Sequence, residues 1–341
     1  MSKFDVVVIG EAVLDMYVTV HDERIVKTDD GKLLEFRFGS KTEVDDYFIS
    51  VGGGGANVST GLSRQNLDTC FITALGNDNF AVNIISKLKK EKVNLSHIVS
   101  SDIHTGIGII LPGDGRNKDR TILSYRGSNT TIKFSDIENV VSQNENIVFC
   151  ALFGNASNVI PKSIKQFKDK RFFVSLGTKE ILDFGKDISE FIEDIDYLVF
   201  NIEEAGTLLD VLKIKSRDDK ENIKLNSNEH MYNVYLHEII KKISSYTKLK
   251  TENNTYRNVI ITLGADGVIG IDKNGKIYRY KSCSHEGNNT TGLGDAFFSG
   301  FISHIVMGKS FADSIEFGLK NSASVMKHTG ATTGLLRKAR S

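Results

Sequence analysis

Val6-Val7-Val8-Ile9-Gly10 is an unbroken run of apolar, β-branched residues that stops at a glycine. Such a run predicts a strand buried on both faces, as in a parallel sheet covered by helices. Similar runs recur along the chain, at residues 69–75, 147–153, 172–176, 197–200 and 259–263. Helical patterns lie between them, at residues 56–65, 80–91, 161–168 and 205–212. This alternation predicts a doubly wound, mostly parallel α/β sheet flanked by helices, with right-handed crossovers.

Two stretches, residues 16–51 and 105–126, break this pattern because apolar and polar residues alternate in them. Period-two alternation predicts strands with one wet face. We expect the two stretches to form one small antiparallel sheet that projects from a single domain of residues 1–341. A projecting sheet can act as a lid that covers a ligand and excludes water, and an edge extension without a function is the alternative. Residues 216–256, rich in Lys, Asn and Glu with a helical pattern at 234–246, are expected to be a surface insertion.

The overall composition excludes several classes of function. The 341 residues carry 43 Lys plus Arg and 43 Asp plus Glu, so the formal charge is zero and no global attraction to nucleic acid or to an anionic membrane is expected. No stretch approaches the roughly 20 apolar residues that span a bilayer, and no signal-peptide pattern opens the chain. Three widely separated cysteines argue against a disulfide framework and a cysteine-based zinc site. A cytoplasmic protein is the resulting expectation.

The strongest functional signal is NTTGLGDAFFSGF at residues 289–301. A glycine-flanked turn leads there into an apolar helical pattern, which places residues 292–295 at a helix N-terminus. Unpaired backbone N–H groups and the helix dipole make such a position an anion site. Asp295 there is either a helix N-cap or a base that receives a proton from an attacking hydroxyl beside a γ-phosphate. The motif by itself does not decide between these two roles.

A second glycine-rich turn, VGGGGAN at residues 51–57, follows a predicted strand and opens a predicted helix. Its spacing does not fit the dinucleotide fingerprint G-x-G-x-x-G, and the Walker pattern G-x-x-x-x-G-K-[ST] is absent from the whole sequence. The glycines favour a backbone packed close to a small ligand, and the amide of Asn57 can both donate to and accept from a hydroxyl. A tight turn without a ligand is the alternative.

Three weaker signals lie elsewhere in the chain. Asn201 and Glu204 follow a predicted strand, where a carboxylate can organise the hydration shell of Mg²⁺ or simply stabilise a helix N-terminus. Residues 261–267, ITLGADG, form a strand that ends in a glycine-rich turn. Asp15 lies near the start of the first alternating stretch, where an isolated acid is usually solvated or capping. None of these segments identifies a function alone.

Taken in this order, the segments resemble the ribokinase-like, or PfkB, family of carbohydrate and nucleoside kinases, over about residues 5–331. The resemblance implies an ATP-dependent kinase with the family's α/β fold and β lid. It implies that Asp15 and Asn57 bind substrate hydroxyls together with the backbone of Gly53 and Gly54. It also implies that Asp295 is the general base.

The same resemblance assigns the nucleotide side of the site. Asn201 would contribute to the ATP site, and Glu204 would hold Mg²⁺ indirectly, through water. Thr262, Gly264 and Gly267 would line the phosphates of ATP. Mg²⁺ bound with ATP is therefore the implied cofactor.

Two residues depart from the family pattern around the implied anion hole of Gly292, Leu293 and Gly294. The family usually has an aspartate at the position of Asn289, which helps to bind a monovalent cation, so activation by K⁺ is in doubt. It usually has a small residue at the position of Leu293. The backbone N–H of Leu293 is retained, but its bulk can reshape the pocket beside the transferring phosphate.

The hypothesis with most support is therefore a kinase that phosphorylates a hydroxyl of a small sugar, of the ribokinase or fructokinase type. A nucleoside kinase of the adenosine type is an alternative, and so is a non-catalytic ligand-binding regulator on the same scaffold. A nicotinamide dehydrogenase is disfavoured because the dinucleotide fingerprint is missing, and a nucleic-acid binder lacks both charge and motif. A homodimer formed through the lid is expected because a small sheet leaves exposed edges.

Overall fold

The six apolar runs supply six strands of an eight-stranded sheet in the computed structural model, which describes residues 3–20, 25–28, 31–112, 120–214, 229–246, 256–283 and 291–339. Asn289, which the sequence connects with a monovalent cation, lies outside these described residues. In chain order the strands of the sheet are β1 (Val6–Gly10), β6 (Thr69–Ile72), β11 (Asn146–Cys150), β12 (Arg171–Ser175), β13 (Tyr197–Asn201), β14 (Asn258–Thr262), β15 (Val268–Ile271) and β16 (Ile277–Tyr280). In spatial order they are β16, β15, β14, β13, β12, β11, β1 and β6.

The strands from β6 to β14 run parallel, and β15 and β16 extend the sheet antiparallel at one edge. Strand β1 lies inside the sheet, with Val8 opposite Val148 on one side and Phe71 on the other. The predicted run at residues 69–75 is in fact two strands, because β7 (Ala74–Gly76) leaves the main sheet and pairs with β8 (Val99–Ser101).

Helices cover both faces of the sheet, as a doubly wound arrangement requires. Their bounds are α1 (Gly54–Arg64), α2 (Asn79–Lys90), α3 (Phe134–Gln143), α4 (Val159–Gln166), α5 (Thr178–Phe184), α6 (Ile202–Val211), α7 (Glu229–Tyr246), α8 (Leu293–Val306) and α9 (Phe311–Met326). Alternate residues of β1 enter different cores, since Val6 and Val8 pack with α1, α2, α8 and α9. Val7 and Ile9 belong to the core that contains side chains of α3 to α7. Each face therefore has its own apolar layer.

The alternating stretches contribute a second sheet, in the order β10 (Arg120–Tyr125), β9 (Gly106–Pro112), β2 (Val13–Thr19) and β5 (Asp46–Gly52). This sheet is mixed, whereas an antiparallel one was expected, because β2 and β9 run parallel. A parallel pair needs a long crossover, and the chain between these strands contains α1 and α2; alternation alone carries no information on direction. The hairpin of β3 (Ile25–Thr28) and β4 (Gly31–Leu34) stays separate from it.

Helix α7 is the described part of the stretch 216–256. Its side chains Leu236, Ile239, Ile240 and Ile243 are fully buried in the core shared by α3 to α7. The apolar residues recur with the i, i+3, i+4, i+7 spacing that buries one helix face, so this helix packs on the core. The polar flanks conceal that spacing in the composition. That the stretch 216–256 is a surface insertion stays a prediction. Residues 216–228 and 247–255 lie outside the described residues.

Among the described helices, none is long and apolar enough to cross a membrane.

Candidate active site

A cavity of about 340 Å³ lies between the second sheet and the ends of β1, α1 and α8. Glu11 enters it directly after β1, and Asp15 enters it from β2. Asn57 reaches it from α1 and Asp295 from α8. The position agrees with the rule that open α/β sheets bind ligands outside the carboxyl ends of their strands.

Asp15 is held in a slot between two glycines of neighbouring strands. Gly108 of β9 is its direct register partner, and Gly52 ends β5. A Cβ atom at either glycine would overlap the Asp15 carboxylate, so the slot exists only because both side chains are absent. Asp15 is 9% exposed, and burial, together with the charge of Asp295, raises its pKa from 3.8 to about 6.

The glycine-rich turn brings the start of α1 against the strand β1. Gly53 has a φ of +90°, in the region that favours glycine, and a Cβ there would come within 2.7 Å of the Glu11 carbonyl oxygen. A Cβ on Gly54 would lie 3.6 Å from Asp295 Oδ1. The turn therefore places Asn57, in the first turn of α1, beside Asp295.

Asn57 and Asp295 are joined by a hydrogen bond, in which the Asn57 Nδ2 donates to Asp295 Oδ2 at 2.8 Å. Asn57 is 4% exposed, and its Oδ1 has no hydrogen-bond partner within the described part of the chain. Burial raises the pKa of Asp295, and the bond from Asn57 opposes that rise. A half-buried carboxylate with a raised pKa beside an unpaired acceptor is an arrangement suited to binding and deprotonating a hydroxyl.

Helix α8 begins at Leu293 with Gly292 as its N-cap, at a φ of +72°. Gly292 has no side chain with which to cap the first turn, and the first N–H groups of a helix, which lack intrahelical partners, can bind an anion. Asp295 is the third residue of the helix and does not act as its N-cap. A Cβ on Gly294 would meet no atom of the described residues within 4 Å, so these residues leave the helix start open on that side.

The side chain of Leu293 does not line the cavity. It packs against the small cluster of Ala296, Val325 and Leu335. Its carbonyl oxygen accepts a hydrogen bond from Ser322 Oγ at 3.1 Å. The bulk that distinguishes this position from the family pattern is directed towards α9 and the C-terminal segment.

The predicted nucleotide-side residues lie together at the ends of β13 and β14, outside the 340 Å³ cavity. Asn201 is the register partner of Thr262. Asn201 and Glu204 form a capping box, in which Asn201 Oδ1 accepts from the Glu204 N–H at 2.8 Å and Glu204 Oε2 accepts from the Asn201 N–H at 2.7 Å. Gly264 and Gly267 follow β14 with φ angles of +60° and +91°.

Glu204 connects this group electrostatically with the cavity. Burial and, to a smaller extent, the negative charge of Asp295 raise its pKa to about 7, although the hydrogen bond from the Asn201 N–H opposes the rise. Among the described residues no group of three or more His, Cys, Asp or Glu side chains is arranged to hold a metal ion. A single carboxylate fits Mg²⁺, which usually keeps several waters and is held by one or two carboxylates and substrate phosphates.

Two charged residues of the cavity, Glu11 and Arg126, are not among the candidates that the sequence motifs indicate. Arg126 Nη1 donates to Glu11 Oε2 at 2.8 Å. The available signal was position: Glu11 directly follows the buried strand β1, and Arg126 directly follows β10. Their pairing joins residues far apart in sequence, which no local pattern records.

The chain is similar to known proteins over nearly its whole length. The profile described as pfkB family carbohydrate kinase matches residues 3–338. The ATP-dependent 6-phosphofructokinase of Thermoanaerobacterium thermosaccharolyticum is 24% identical, over 98% of this chain and 91% of that protein. A ribokinase of Dictyostelium discoideum is 26% identical, over 87% of this chain and 90% of that protein. The structure of Anopheles gambiae adenosine kinase is similar with a TM-score of 0.76 at 15% identity, covering 99% of this chain and 100% of that one.

The structural similarity confirms the predicted ribokinase-like α/β fold, and the profile match confirms the resemblance found in the motifs. Because the match spans nearly the whole chain, this protein belongs to the pfkB family of carbohydrate kinases.

Proposed function

We propose that this protein transfers the γ-phosphoryl group of ATP to a hydroxyl of a small sugar, with Asp295 as the general base. The hydrogen bond between Asn57 and Asp295 is the observation that carries this proposal. It fixes the carboxylate at the wall of the cavity, next to an acceptor atom, Asn57 Oδ1, that has no partner among the described residues. A substrate hydroxyl bound there would lie within reach of both side chains.

The acceptor would be bound by Asp15 and Asn57 and by the backbone of Gly53 and Gly54. The slot around Asp15 and the positive φ of Gly53 support this assignment, because both leave functional groups facing the cavity at fixed positions. Positioning of the reacting hydroxyl against the phosphate supplies much of the acceleration in phosphoryl transfer.

The phosphates of ATP would bind at the start of α8, where Gly292, Leu293 and Gly294 would form the anion hole. The uncapped N–H groups of this turn support that assignment. Asn201 and Thr262, with Gly264 and Gly267, would line the nucleotide site at the ends of β13 and β14.

Mg²⁺ would be held beside the phosphates through its hydration shell by Glu204. When bound, it neutralises phosphate charge during the transfer. Asn289 argues against activation by K⁺, and the experiment below tests this directly.

The second sheet, with the stretches 16–51 and 105–126, would act as the lid. Ile107, Ile110 and Ile122 of this sheet line the cavity and would exclude water from the reacting groups. The lid strand β2 is also connected to the start of α8 through a side-chain hydrogen bond between Tyr17 and Thr291. Exposed Tyr47, Ile49 and Leu123 on the same sheet would suit a homodimer formed through the lid.

ADP release from Mg·ATP, measured over a panel of sugars, sugar phosphates and nucleosides with and without K⁺, tests the proposal. We expect turnover with a sugar. Asp295→Asn should lower kcat by roughly 10²–10⁴-fold while ATP binding, measured by calorimetry, persists. The exposed Asp183→Asn on α5 is the matched control and should retain the wild-type rate. Turnover with nucleosides alone would replace the sugar assignment, and nucleotide binding without turnover would indicate a non-catalytic regulator.

A further inference from the structure

Glu11 and Arg126 form an ion pair in the wall of the cavity that we propose to bind the phosphoryl acceptor. The Glu11 side chain is 10% exposed and that of Arg126 is 36% exposed. The guanidinium carbon of Arg126 lies 3.6 Å from the centre of the Phe153 ring. Arg126 is therefore held by a carboxylate at one edge and by an aromatic face below.

A single buried amide fixes the backbone on both sides of this pair. Asn129 Nδ2 donates to the carbonyl oxygens of Ala12 and Arg126, each at 3.0 Å. Its Oδ1 accepts from the Ala12 N–H at 3.0 Å. The two charged residues are thus preorganised by a shared partner, and no ligand is needed to bring them together.

The cavity has an uneven charge balance. Glu11, Asp15 and Asp295 line it, and Arg126 is the one cationic side chain among its described lining residues. Burial raises the pKa of Glu11 to about 7 even though the Arg126 guanidinium opposes the rise. Since the negative charge of Glu11 compensates the positive charge of Arg126, the negative charges of Asp15 and Asp295 remain uncompensated. An anionic acceptor in the cavity would therefore be repelled.

The hydrogen-bonding groups lead to the same conclusion. The carboxylates of Glu11 and Asp15 offer acceptors, and so does Asn57 Oδ1, which has no partner among the residues that the structure describes. Hydroxyl groups supply the matching donors, whereas a phosphate or carboxylate supplies acceptors only. The lining therefore complements a compound with several free hydroxyls.

We propose that Glu11 and Arg126 are specificity-determining residues that restrict the acceptor to uncharged polyhydroxylated compounds and reject sugar phosphates and sugar acids. This inference rests on the proposed kinase function for its acceptor. Glu11 occupies the guanidinium that an anionic substrate would otherwise use. Removing the charge of Glu11 frees Arg126 to bind an anion, whereas removing the charge of Arg126 leaves Glu11 to repel one.

The test compares matched acceptors that differ in one anionic group: ribose and fructose against their monophosphate esters, and glucose against gluconate. ADP release gives kcat/KM, and titration calorimetry gives binding without turnover. The variants are Glu11→Gln and Arg126→Gln. Glu145→Gln and Arg171→Gln alter an exposed ion pair of the same type, with Arg171 as exposed as Arg126, and serve as controls.

We expect the wild type to prefer the neutral member of each accepted pair. Glu11→Gln should shift this preference towards the anionic member by roughly tenfold to a hundredfold, the range for one hydrogen bond to a charged group. Arg126→Gln should shift it in the opposite direction, and the surface controls should not move it. If the ion pair had only a structural role, either variant would lower kcat/KM for the neutral and the anionic acceptor by the same factor.

The inference is overturned if the wild type prefers the anionic member of any pair. It is also overturned if Glu11→Gln keeps the wild-type preference while its cooperative thermal unfolding shows that the variant is folded. Failure to bind either member of every pair also overturns it. Discrimination in binding with no ADP release would instead contradict the kinase proposal and leave the inference supported.

Discussion

The amide of Asn57 donates to the Asp295 carboxylate at 2.8 Å, although the two residues are 238 positions apart in the chain. The contact depends on close packing of α1 on α8, where a Cβ on Gly61 would overlap the side chain of Ser299. Two helix starts thereby meet at one cavity. The hydrogen bond therefore acts directly on the carboxylate that we propose as the base.

Asn57→Ala should move the acid limb of the pH–rate profile to higher pH. Burial raises the pKa of Asp295, and the hydrogen bond from Asn57 lowers it, so removal of the amide raises the pKa again. The base must be deprotonated to act, and the profile of kcat/KM reports this ionisation in the free enzyme. Asp15 and Glu11 also have raised pKa values, so the midpoint of the acid limb alone does not identify the base. The shift of that midpoint in Asn57→Ala does. The exposed Asn83→Ala should leave the limb in place, and an unmoved limb in Asn57→Ala would argue against Asp295 as the base.

Gly108→Ala should impair acceptor binding selectively. A Cβ at this position would overlap the Asp15 carboxylate, while the backbone of Gly108 has no positive φ to strain. We expect the KM for the acceptor to rise by about tenfold or more, as for the loss of a hydrogen bond to a charged group, with the KM for ATP little changed. Gly270→Ala, which crowds Ile315 in the core, is the control and should lower stability without changing the acceptor KM. Equal increases in both KM values would show that Asp15 does not bind the acceptor.

Asp15→Asn should stabilise the fold at alkaline pH. The pKa of Asp15 is raised in the folded protein from 3.8 to about 6, so the folded state binds more protons than the unfolded state between these values. Stability from this group therefore falls as pH rises through that window. Loss of the buried charge should increase the free energy of unfolding by up to about 3 kcal/mol near pH 8, and by less near pH 5.

Urea unfolding at the two pH values measures this difference, and Asp183→Asn on the surface is the matched control. A gain independent of pH would contradict the electrostatic origin. A gain in stability combined with a loss of acceptor binding would show that the site retains a charge that weakens the fold.

Arg64→Met should destabilise the protein strongly, because Arg64 joins α1 to the C-terminal segment. Its guanidinium pairs with Glu91 at 2.7 Å and donates to the carbonyl oxygens of Thr332 and Leu335. Both Arg64 and Glu91 are less than a tenth exposed. We expect a loss of about 3 kcal/mol in the free energy of unfolding, against less than about 1 kcal/mol for Arg171→Met in the exposed pair with Glu145. Similar losses in the two variants would contradict this difference.

The sequence by itself determined the layers of the fold. The β-branched run of β1 and its repeats predicted a sheet buried on both faces, and that sheet is present. The motif at residues 289–301 placed Asp295 in the first turn of a helix, which is where it lies. These features are local, because the periodicity of the apolar residues in a segment shows whether one or two of its faces are buried.

Only the tertiary structure decided which distant residues share the cavity. The pairing of Glu11 with Arg126, the glycine slot around Asp15 and the parallel direction of β2 and β9 had no counterpart in the sequence patterns. Helix α7 showed the converse, since its apolar spacing was present but hidden by polar neighbours. Each of these features depends on how strands and helices close on one another over long separations. The periodicity of the sequence therefore predicts which residues are buried, whereas the packing of distant segments determines which residues they contact.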